Sequence, residues 1–276
     1  MSTPTADPSS SSASAAHALP PITSLRGRVP EAQWQLRVQL AACYRLVAHF
    51  GWSDLIFTHI SAKLPDVDGE PERFLINPYG LMFDEITASS LVVVDQHGAH
   101  VGGPPFPVNR AGFVIHSTIH EARPDVVCVI HTHTRAGVAV SAQEAGLLPL
   151  SQQATLVLPT LGYHAYEGLA VHDHERATLA ADLGRKSHLI LRNHGLLTVA
   201  RSIPEAFLGM YFLETACQIQ IAAMAGARVR PVQAEVLAGV GEAVRIIGGS
   251  APQPPSELAW AGLLRRLDRI SPGYDT

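Results

Sequence analysis

Two histidines end an apolar run in the middle of the chain, and together they could bind a metal. Residues 126–134 read VVCVIHTHT, a β-branched run that predicts a buried strand ending in His131 and His133. Side chains two positions apart on a strand share one face, so we expect both imidazoles at the same end of it. Two neighbouring imidazoles tolerate two protons poorly but can share one divalent cation. Two ordinary polar residues at a strand terminus are the alternative, and a third ligand would decide between these readings.

A third histidine lies in a short turn between two apolar segments. His194 stands between Asn193 and Gly195, and residues 188–192 and 196–200 on either side are predicted strands. We expect Gly195 to adopt a backbone conformation that residues with a side chain avoid. A turn histidine on its own is more often structural. With His131 and His133, however, it completes a set of three imidazoles, the pattern typical of catalytic zinc rather than of four-ligand structural zinc.

The hydrophobic pattern predicts the elements that must position these histidines. Helices are predicted at Pro30–Phe50, Asn109–Arg123, Ala136–Ala145, Asp173–Leu183, Ser202–Ala225, Val232–Ile246 and Glu257–Leu267. Strands are predicted at Asp54–Leu64, Phe74–Ile76, Leu91–Asp95, Val126–Thr134, Leu156–Leu158, His188–Arg192 and Leu196–Ala200. Interspersed strands and helices favour one α/β domain whose sheet is covered on both faces. We assign residues 1–25 to a disordered tail rich in Ser, Ala and Pro, 26–250 to this domain and 251–276 to a C-terminal helical extension.

Composition restricts the class of protein. The chain has 276 residues of which 47% are hydrophobic, which is enough to bury a full core. Its net charge is −4 and it has no long basic run, so we expect neither a nucleic-acid nor a membrane partner. The three cysteines lie far apart and are predicted to be buried free thiols. Without a secretory signal or an apolar segment of membrane-spanning length, we expect a soluble, cytoplasmic protein.

Three short segments resemble a known family when they are taken together. Arg123-Pro-Asp125, Val129-Ile-His131-Thr-His133 and Arg192-Asn-His194-Gly-Leu196 are similar to motifs of the class II aldolase/adducin family. The resemblance covers about Leu36 to Ala225. It implies a three-layer α/β/α sandwich around a mostly antiparallel sheet, commonly in a homotetramer with each site near a subunit interface. It also implies that His131, His133 and His194 bind a divalent metal, usually Zn²⁺, with Fe²⁺, Mn²⁺ and Co²⁺ as alternatives.

The chain departs from the sugar-phosphate aldolases of that family at several positions. The resemblance places their catalytic glutamate at Gly112 and their two phosphate-binding serines at Arg110 and Ala111. Their Asn-x-Ser loop appears as His59-Ile-Ser61, and their Thr-Pro-x-Gly loop as Asn77-Pro-Tyr-Gly80. These departures bring the chain closer to the adducin branch. We expect no actin–spectrin role, because no basic adducin tail follows the last predicted helix.

Without a carboxylate at position 112, other residues must carry protons and contact the substrate. The acid–base candidates are His116, Tyr163, Tyr166 and Glu167. His116 lies one turn after position 112 on the same helix face, although a buried structural histidine is the competing interpretation. The other three lie in the predicted polar loop Gly162–Gly168. The substrate-binding candidates are His59, Ser61, Asn77, Gly80 and Arg110, the last because a guanidinium suits a carboxylate or phosphate. His120, one turn beyond His116, is predicted to be a surface residue.

The resemblance and the residues lead to one main hypothesis and two alternatives. The main hypothesis is a metal-dependent carbon–carbon lyase, aldolase- or decarboxylase-like, that acts on a small oxygenated carbonyl compound through a metal-bound enediolate. Aldol cleavage, decarboxylation and epimerisation share that intermediate, and the missing glutamate favours decarboxylation because it needs no initial proton abstraction from carbon. The first alternative is a non-catalytic, adducin-head-like metal-binding oligomeric module. The second is a non-haem iron oxygenase, since three-histidine sites also accept iron.

Overall fold

The computed structural model describes residues 19, 21–168, 174–226, 228–250 and 253–276, without the side chains of 110, 111, 174, 175 and 247–250. Most of the predicted tail, 1–18 and 20, therefore lies outside the described residues. The helices are α1 (Glu31–His49), α2 (Arg110–Ala122), α3 (Arg135–Ser141), α4 (Gln152–Val157), α5 (His174–Leu183), α6 (Ile203–Met224), α7 (Ala234–Ser250) and α8 (Pro255–Ile270). The strands are β1 (His59–Lys63), β2 (Arg73–Ile76), β3 (Val92–Asp95), β4 (His100–Gly102), β5 (Cys128–Thr132), β6 (Leu161–His164), β7 (His188–Leu191) and β8 (Gly195–Ala200).

One sheet holds all eight of these strands in the order β4-β3-β2-β1-β5-β8-β7-β6. Every neighbouring pair is antiparallel except β6 and β7, which are parallel. β5 lies in the interior of the sheet, with β1 on one side and β8 on the other. The prediction of a mostly antiparallel central sheet is confirmed, and its interior strand is the one that carries the histidine pair.

Helices cover both faces of the sheet and bury its alternating side chains. On one face, Ile115 and Ile119 of α2 and Leu183 of α5 pack against Val129 of β5 and Leu197 of β8. The opposite face packs against residues of α1, α3, α4, α6 and α8. Each fully buried Leu or Ile in these layers contributes about 1.5–3 kcal/mol relative to exposure. The three-layer α/β/α prediction is confirmed.

The C-terminal residues pack against the same core as the rest of the domain. Trp260 and Leu267 of α8 are buried between α1 and α6. The chain then returns to the 87–90 turn, where the backbone amides of Ala88 and Ser89 donate to the carbonyls of Tyr274 and Thr276, each at 2.8 Å. The boundary predicted at residue 250 stays a prediction.

One strand was predicted in the wrong place. Leu156–Leu158 is helical: it spans the end of α4 and the start of a 3₁₀ turn, Leu158–Thr160. The Ser151 hydroxyl caps α4 by accepting from the amide of Ala154 at 3.1 Å, and α4 packs on α6. The strand comes next, at Leu161–His164, where pairing with β7 extends residues 162–164, which the sequence predicts as loop. Tertiary packing here overrides the local β propensity of a short apolar run.

The three cysteines are buried and free, as predicted. Cys43 lies in α1, Cys128 in β5 and Cys217 in α6. Burial raises the pKa of all three thiols, so they stay protonated and unreactive in the folded chain. None of the described helices is both long and apolar enough to cross a membrane.

Candidate metal centre

The three predicted histidines converge at one end of the sheet. His131 lies in β5, His133 just after it, and His194 in the turn between β7 and β8. Their ring centroids form a nearly equilateral triangle, with His131 and His133 4.7 Å apart and His194 4.8 Å from each. One ring nitrogen from each lies within 4.8 Å of the others, close enough to hold one metal ion.

The turn that carries His194 depends on Gly195 for space rather than for conformation. The prediction that Gly195 adopts an unusual φ is wrong: the positive φ of 55° is at Asn193, a residue type that tolerates it. Gly195 is instead pressed against β5, where an added Cβ would lie 2.3 Å from the carbonyl oxygen of Thr132 and 3.1 Å from the His133 ring. Any side chain at 195 would therefore push the two ligand-bearing segments apart.

Hydrogen bonds fix the tautomers of two of the histidines. The Nδ1 of His131 donates to the Leu196 carbonyl at 3.0 Å, and the Nδ1 of His133 donates to Asp54 Oδ2 at 3.1 Å. When both rings are neutral, both Nε2 atoms carry lone pairs, and these atoms lie only 2.9 Å apart. Two lone pairs that face each other repel, and a shared cation removes the repulsion. An imidazole held by a carboxylate or a carbonyl is also the usual support of a metal-binding histidine.

Asp54 contacts the histidine cluster, and the sequence did not reveal this contact. Asp54 lies 79 positions before His133, to which it is hydrogen-bonded, and no sequence periodicity relates the two residues. The loop that contains it is unusual, since Leu55 and Thr58 have positive φ values of 50° and 67°. Such conformations cost about 1–3 kcal/mol each and persist where surrounding structure enforces them. The loop thus holds Asp54 against the cluster at some cost in free energy.

Burial favours the neutral, metal-binding forms of His131 and His194. Burial is the main cause that lowers the pKa of His131 well below its ordinary value, and the nearby His194 and His133 lower it further. Burial, followed by His133 and His164, lowers the pKa of His194 to about 4. The three-nitrogen donor set and the lowered pKa values of His131 and His194 both fit a divalent cation.

His59 lies beside the cluster, and its ring has no hydrogen-bond partner among the described residues. It faces His131 across the β1–β5 pair, with the rings nearly parallel at 18° and their centroids 6.3 Å apart. Only 6% of the residue is exposed, and neither ring nitrogen has a partner among the described residues. Burial, followed by His133 and His194, lowers its pKa to about 3. It was predicted as a substrate-binding residue, and a buried unpartnered imidazole is costly unless something binds it.

Ser61 and His116 belong to a buried polar chain behind His59. The Ser61 hydroxyl lies 2.7 Å from His116 Nδ1 and 2.8 Å from His120 Nε2. The His116 ring meets that of His59 edge-on, with centroids 5.3 Å apart. His120 is 1% exposed, so its prediction as a surface residue is wrong: the helix face that carries His116 packs on β1. Ser61 therefore contacts these two histidines and links α2 to the sheet.

The loop that begins at Asn77 is anchored to the core. The Tyr44 hydroxyl lies 2.8 Å from Asn77 Oδ1 and accepts from the amides of Ile60 and Asn77 at 2.7 and 3.2 Å. The Asn77 side chain is thus engaged with Tyr44. Gly80 is exposed with a φ of 110°. Arg110 is the first residue of α2, and its side chain lies outside the described part of the structure.

The acid–base candidates Tyr163 and Tyr166 lie in different surroundings, one packed against a turn and one at the rim of the histidine cluster. The Tyr163 hydroxyl accepts from the Leu147 amide at 3.0 Å, and the Arg192 guanidinium lies over its ring, 4.2 Å from the centroid. Tyr163 therefore ties the 143–147 turn to the sheet. Tyr166 has its ring centroid 6.4 Å from that of His194 and is 52% exposed, which places it at the rim of the cluster. Glu167 follows it in the same loop and is partly buried.

Known sequences resemble this chain along most of its length. The family profile described as Class II Aldolase and Adducin N-terminal domain matches residues 38–221. “Putative aldolase class 2 protein PA3430” of Pseudomonas aeruginosa is 53% identical over 261 residues, which are 94% of this chain and 98% of that protein. Alpha-adducin of Rattus norvegicus is 47% identical over 214 residues, which are 75% of this chain and 29% of that much longer protein.

Two solved structures share the fold. An aldolase II superfamily protein from Pseudomonas syringae matches with a TM-score of 0.84 and 47% identity, over 92% of this chain and 100% of the other. L-fuculose 1-phosphate aldolase from Glaciozyma antarctica matches with a TM-score of 0.74 and 26% identity, over 94% of this chain and 96% of the other. Each match covers more than nine-tenths of this chain.

Proposed function

This chain belongs to the class II aldolase and adducin family, and we propose that it is a metal-dependent carbon–carbon lyase acting on a small oxygenated carbonyl compound. One observation carries the proposal. Three imidazoles converge, and the Nδ1 atoms of His131 and His133 are committed to Leu196 and Asp54, so that their Nε2 lone pairs face each other. Three neutral nitrogen ligands are typical of a catalytic zinc site, which needs one further position for substrate or water.

His131, His133 and His194 would hold the metal, and other groups of the chain would prepare the site. A divalent cation there would act as a Lewis acid towards a carbonyl or hydroxyl oxygen of the substrate. Asp54 and the Leu196 carbonyl keep two of the rings in the tautomer and orientation that binding requires. Tyr166, exposed at the rim beside His194, is placed to contact a bound substrate.

The residue at position 112 bears on the type of reaction. Gly112 offers no carboxylate, which supports decarboxylation over aldol cleavage, because loss of CO₂ needs no initial proton abstraction. Both reactions break a carbon–carbon bond and leave an electron pair on the carbon next to a carbonyl. Both end when that carbon takes up a proton. We therefore propose an aldolase- or decarboxylase-like lyase rather than an ordinary sugar-phosphate aldolase.

Metal content and turnover test this function together. Wild type, His131→Ala and the matched control His97→Ala, whose histidine is exposed, would be assayed for bound metal and for cleavage of hydroxycarbonyl phosphates and hydroxy-oxo acids. We expect one metal per chain and turnover in wild type and the control, and neither in His131→Ala. Chelation should abolish turnover and Zn²⁺ should restore it. Metal-loaded wild type that cleaves none of these compounds would refute the proposal.

A non-catalytic module is the second candidate, because alpha-adducin is 47% identical over 214 residues. Under this alternative the metal supports folding or assembly. His131→Ala would then lower the melting temperature or dissociate the oligomer, while metal-loaded wild type would show no turnover. A folded His131→Ala oligomer that has lost a measurable wild-type activity excludes this candidate.

We further propose that the chain forms a cytoplasmic homotetramer, in line with the family resemblance. Each chain has a mass of 29.5 kDa, so light scattering coupled to size-exclusion chromatography should give about four times that value. A monomeric mass in the metal-loaded, active protein would contradict the tetramer and leave the proposed reaction intact.

A further inference from the structure

A cavity lies at the end of the sheet opposite the histidine cluster. β7 and β8 meet at the turn that carries His194, and the cavity is at their other ends, where His188 pairs with Thr198. From residue 188 to residue 191, β7 alone separates the two places by about 10 Å. The cavity has a volume of about 670 Å³, which is in the range of small-molecule sites. None of the described residues that line it belongs to the histidine cluster.

Apolar side chains from four helices form most of the cavity wall. Leu156 of α4, Leu208 and Phe212 of α6, Val244 of α7 and Pro255 of α8 line it. Small-molecule sites in proteins combine such a wall with a few polar groups that orient the ligand. This wall suits a ligand with an apolar body, because burial of that body favours binding.

His188 brings an unpaired ring nitrogen to the cavity. Its Nδ1 donates to the Thr160 hydroxyl at 2.8 Å, and that hydroxyl donates to the Val157 carbonyl at 3.3 Å. Nε2 therefore carries the lone pair, and it has no hydrogen-bond partner among the described residues. Burial lowers the pKa of His188 to about 4, so the ring is neutral at neutral pH. Nε2 is also the ring atom nearest to Gly209 of α6, where an added Cβ would lie only 3.0 Å away, so the glycine leaves this nitrogen uncovered.

Two carboxylates line the same cavity without a cationic partner among the described residues. Glu205 lies in the first turn of α6 and Glu257 in the first turn of α8. The backbone amide of Arg201 donates to Glu205 at 3.3 Å, but the Arg201 guanidinium pairs with Asp125 instead. No lysine or arginine of the described chain lines the cavity. Its titratable groups therefore provide two negative charges and one neutral imidazole.

We propose that this cavity is a second small-molecule site, which binds an apolar amine whose ammonium group donates to Nε2 of His188 in the field of Glu205 and Glu257. An ammonium group has hydrogen-bond donors and no acceptor, and it carries the positive charge that the two carboxylates lack. An anion of the same shape would face like charges, which disfavours it. The site needs no metal, so the inference goes beyond the lyase function and does not depend on it.

Three probes that share a phenyl group test the class of ligand: 2-phenylethylamine, 2-phenylethanol and 3-phenylpropanoate. Calorimetric titration of the full chain should give a dissociation constant of about 1 mM or lower for the amine, and at least about tenfold weaker binding for the other two. EDTA should leave the affinity for the amine unchanged. Loss of binding with EDTA would place the amine at the metal centre and overturn this inference, while the lyase function would stand. No binding of the amine up to about 10 mM, or equal binding of the carboxylate, would also overturn it.

Two variants and their controls test whether the amine occupies the cavity. Gly209→Ala covers Nε2 of His188, and Val244→Trp fills space from an exposed position of α7. Each should weaken binding of the amine about tenfold or more at an unchanged melting temperature. The controls Gly239→Ala and Val236→Trp, at exposed α7 positions outside the cavity, should bind like wild type. Wild-type affinity in both cavity variants would place the amine elsewhere and overturn the inference.

Removal of the charges tests why an amine is preferred. Glu205→Gln combined with Glu257→Gln keeps the size of both side chains. It should weaken binding of 2-phenylethylamine about tenfold or more and change that of 2-phenylethanol by less than about twofold. Glu235→Gln, exposed in the first turn of α7, is the control and should change neither. Unchanged affinity of the double variant for the amine would overturn the proposed class of ligand.

Discussion

At the scale of single residues, the proposed metal centre depends on the groups that orient its three histidines as much as on the histidines themselves. His131 and His133 each use Nδ1 to donate outward, to a backbone carbonyl and to Asp54. The Leu196 carbonyl comes with the strand pairing, so it cannot be removed by substitution. Asp54 is a side chain, so a substitution can remove this support without changing a histidine of the cluster.

Asp54→Asn should weaken metal binding about 10- to 100-fold. The amide can still accept from His133 Nδ1, but it no longer carries the charge that makes Nε2 a stronger donor. Competition with a fluorescent zinc chelator measures the change, and Asp68→Asn, at an exposed loop position, is the control. Equal affinities for wild type and Asp54→Asn would show that the charge of Asp54 has no part in the site.

Sequence reasoning predicted the three histidines that converge, but not the residues that support or surround them. His131, His133 and His194 stand in short local patterns, and the separation of two along a strand is enough to place the first pair. The contact of Asp54 with His133 and the packing of His59 against Gly112 involve residues about 50 to 80 positions apart, which only the folded chain brings together. The sequence shows that Gly112 stands where related aldolases have a catalytic glutamate. The structure adds that the His59 imidazole, from β1, fills the space beside Gly112.

At the scale of elements, a short helix links the metal centre to the core. Thr134 caps α3 by accepting from the Gly137 amide at 3.1 Å, and its hydroxyl donates to the buried Glu214 of α6. Gln218 donates to the other carboxylate oxygen at 2.9 Å. Because Thr134 directly follows His133, this contact fixes the direction in which the chain leaves the cluster.

Thr134→Ala should destabilise the metal-free protein by about 2–4 kcal/mol. It removes a helix cap, which costs about 1 kcal/mol, and leaves buried Glu214 short of a partner, which costs about 1–3 kcal/mol more. Urea unfolding measures the loss. Thr134→Ser retains the hydroxyl and should stay within about 1 kcal/mol of wild type. A Thr134→Ala midpoint equal to that of wild type would rule out this anchoring role.

The elements also show where local patterns fail. β5 and β8 are nearly continuous apolar runs, and their prediction as buried strands is confirmed. The 156–158 segment is equally apolar but helical, because a Ser151 cap and packing on α6 decide its conformation. Periodicity does not distinguish a short apolar strand from one turn of a buried helix.

At the scale of the whole molecule, the interior contains several histidines that are neutral in the folded state. His120, buried beside Phe74, is an example remote from the metal ligands. The groups that face it are Ser61, which also contacts His116, the carbonyl of Val126 and, at longer range, Lys63. Burial is the main cause that lowers its pKa from 6.5 to about 3.

The metal-free protein should therefore lose stability as the pH falls below about 6.5. Between that pH and about 3, His120 is protonated in the unfolded chain but stays neutral in the folded chain. Folding therefore becomes less favourable as the pH falls. Above pH 6.5 both states are neutral and the effect vanishes. Each such histidine adds about 1.4 kcal/mol per pH unit to the slope.

Unfolding of wild type and His120→Asn in urea from pH 7.5 to about 5 measures this slope, with EDTA present to exclude metals. We expect the slope of the unfolding free energy against pH to be smaller by about 1.4 kcal/mol per pH unit in His120→Asn than in wild type. The exposed-site control His97→Asn should keep the wild-type slope. Identical slopes for wild type and His120→Asn would mean that His120 is not held neutral by the fold.

Because the three thiols are buried, their rate of chemical labelling can report how often the folded protein opens. Cys43, Cys128 and Cys217 belong to a helix on the sheet, the strand that bears the histidine pair and the long helix α6. A thiol-specific dye can reach them only when those layers separate, so the labelling rate follows the frequency of large-scale opening rather than loop motion. Because a bound cation favours the closed state, the delay in labelling that it causes would measure its binding free energy without any substrate in hand.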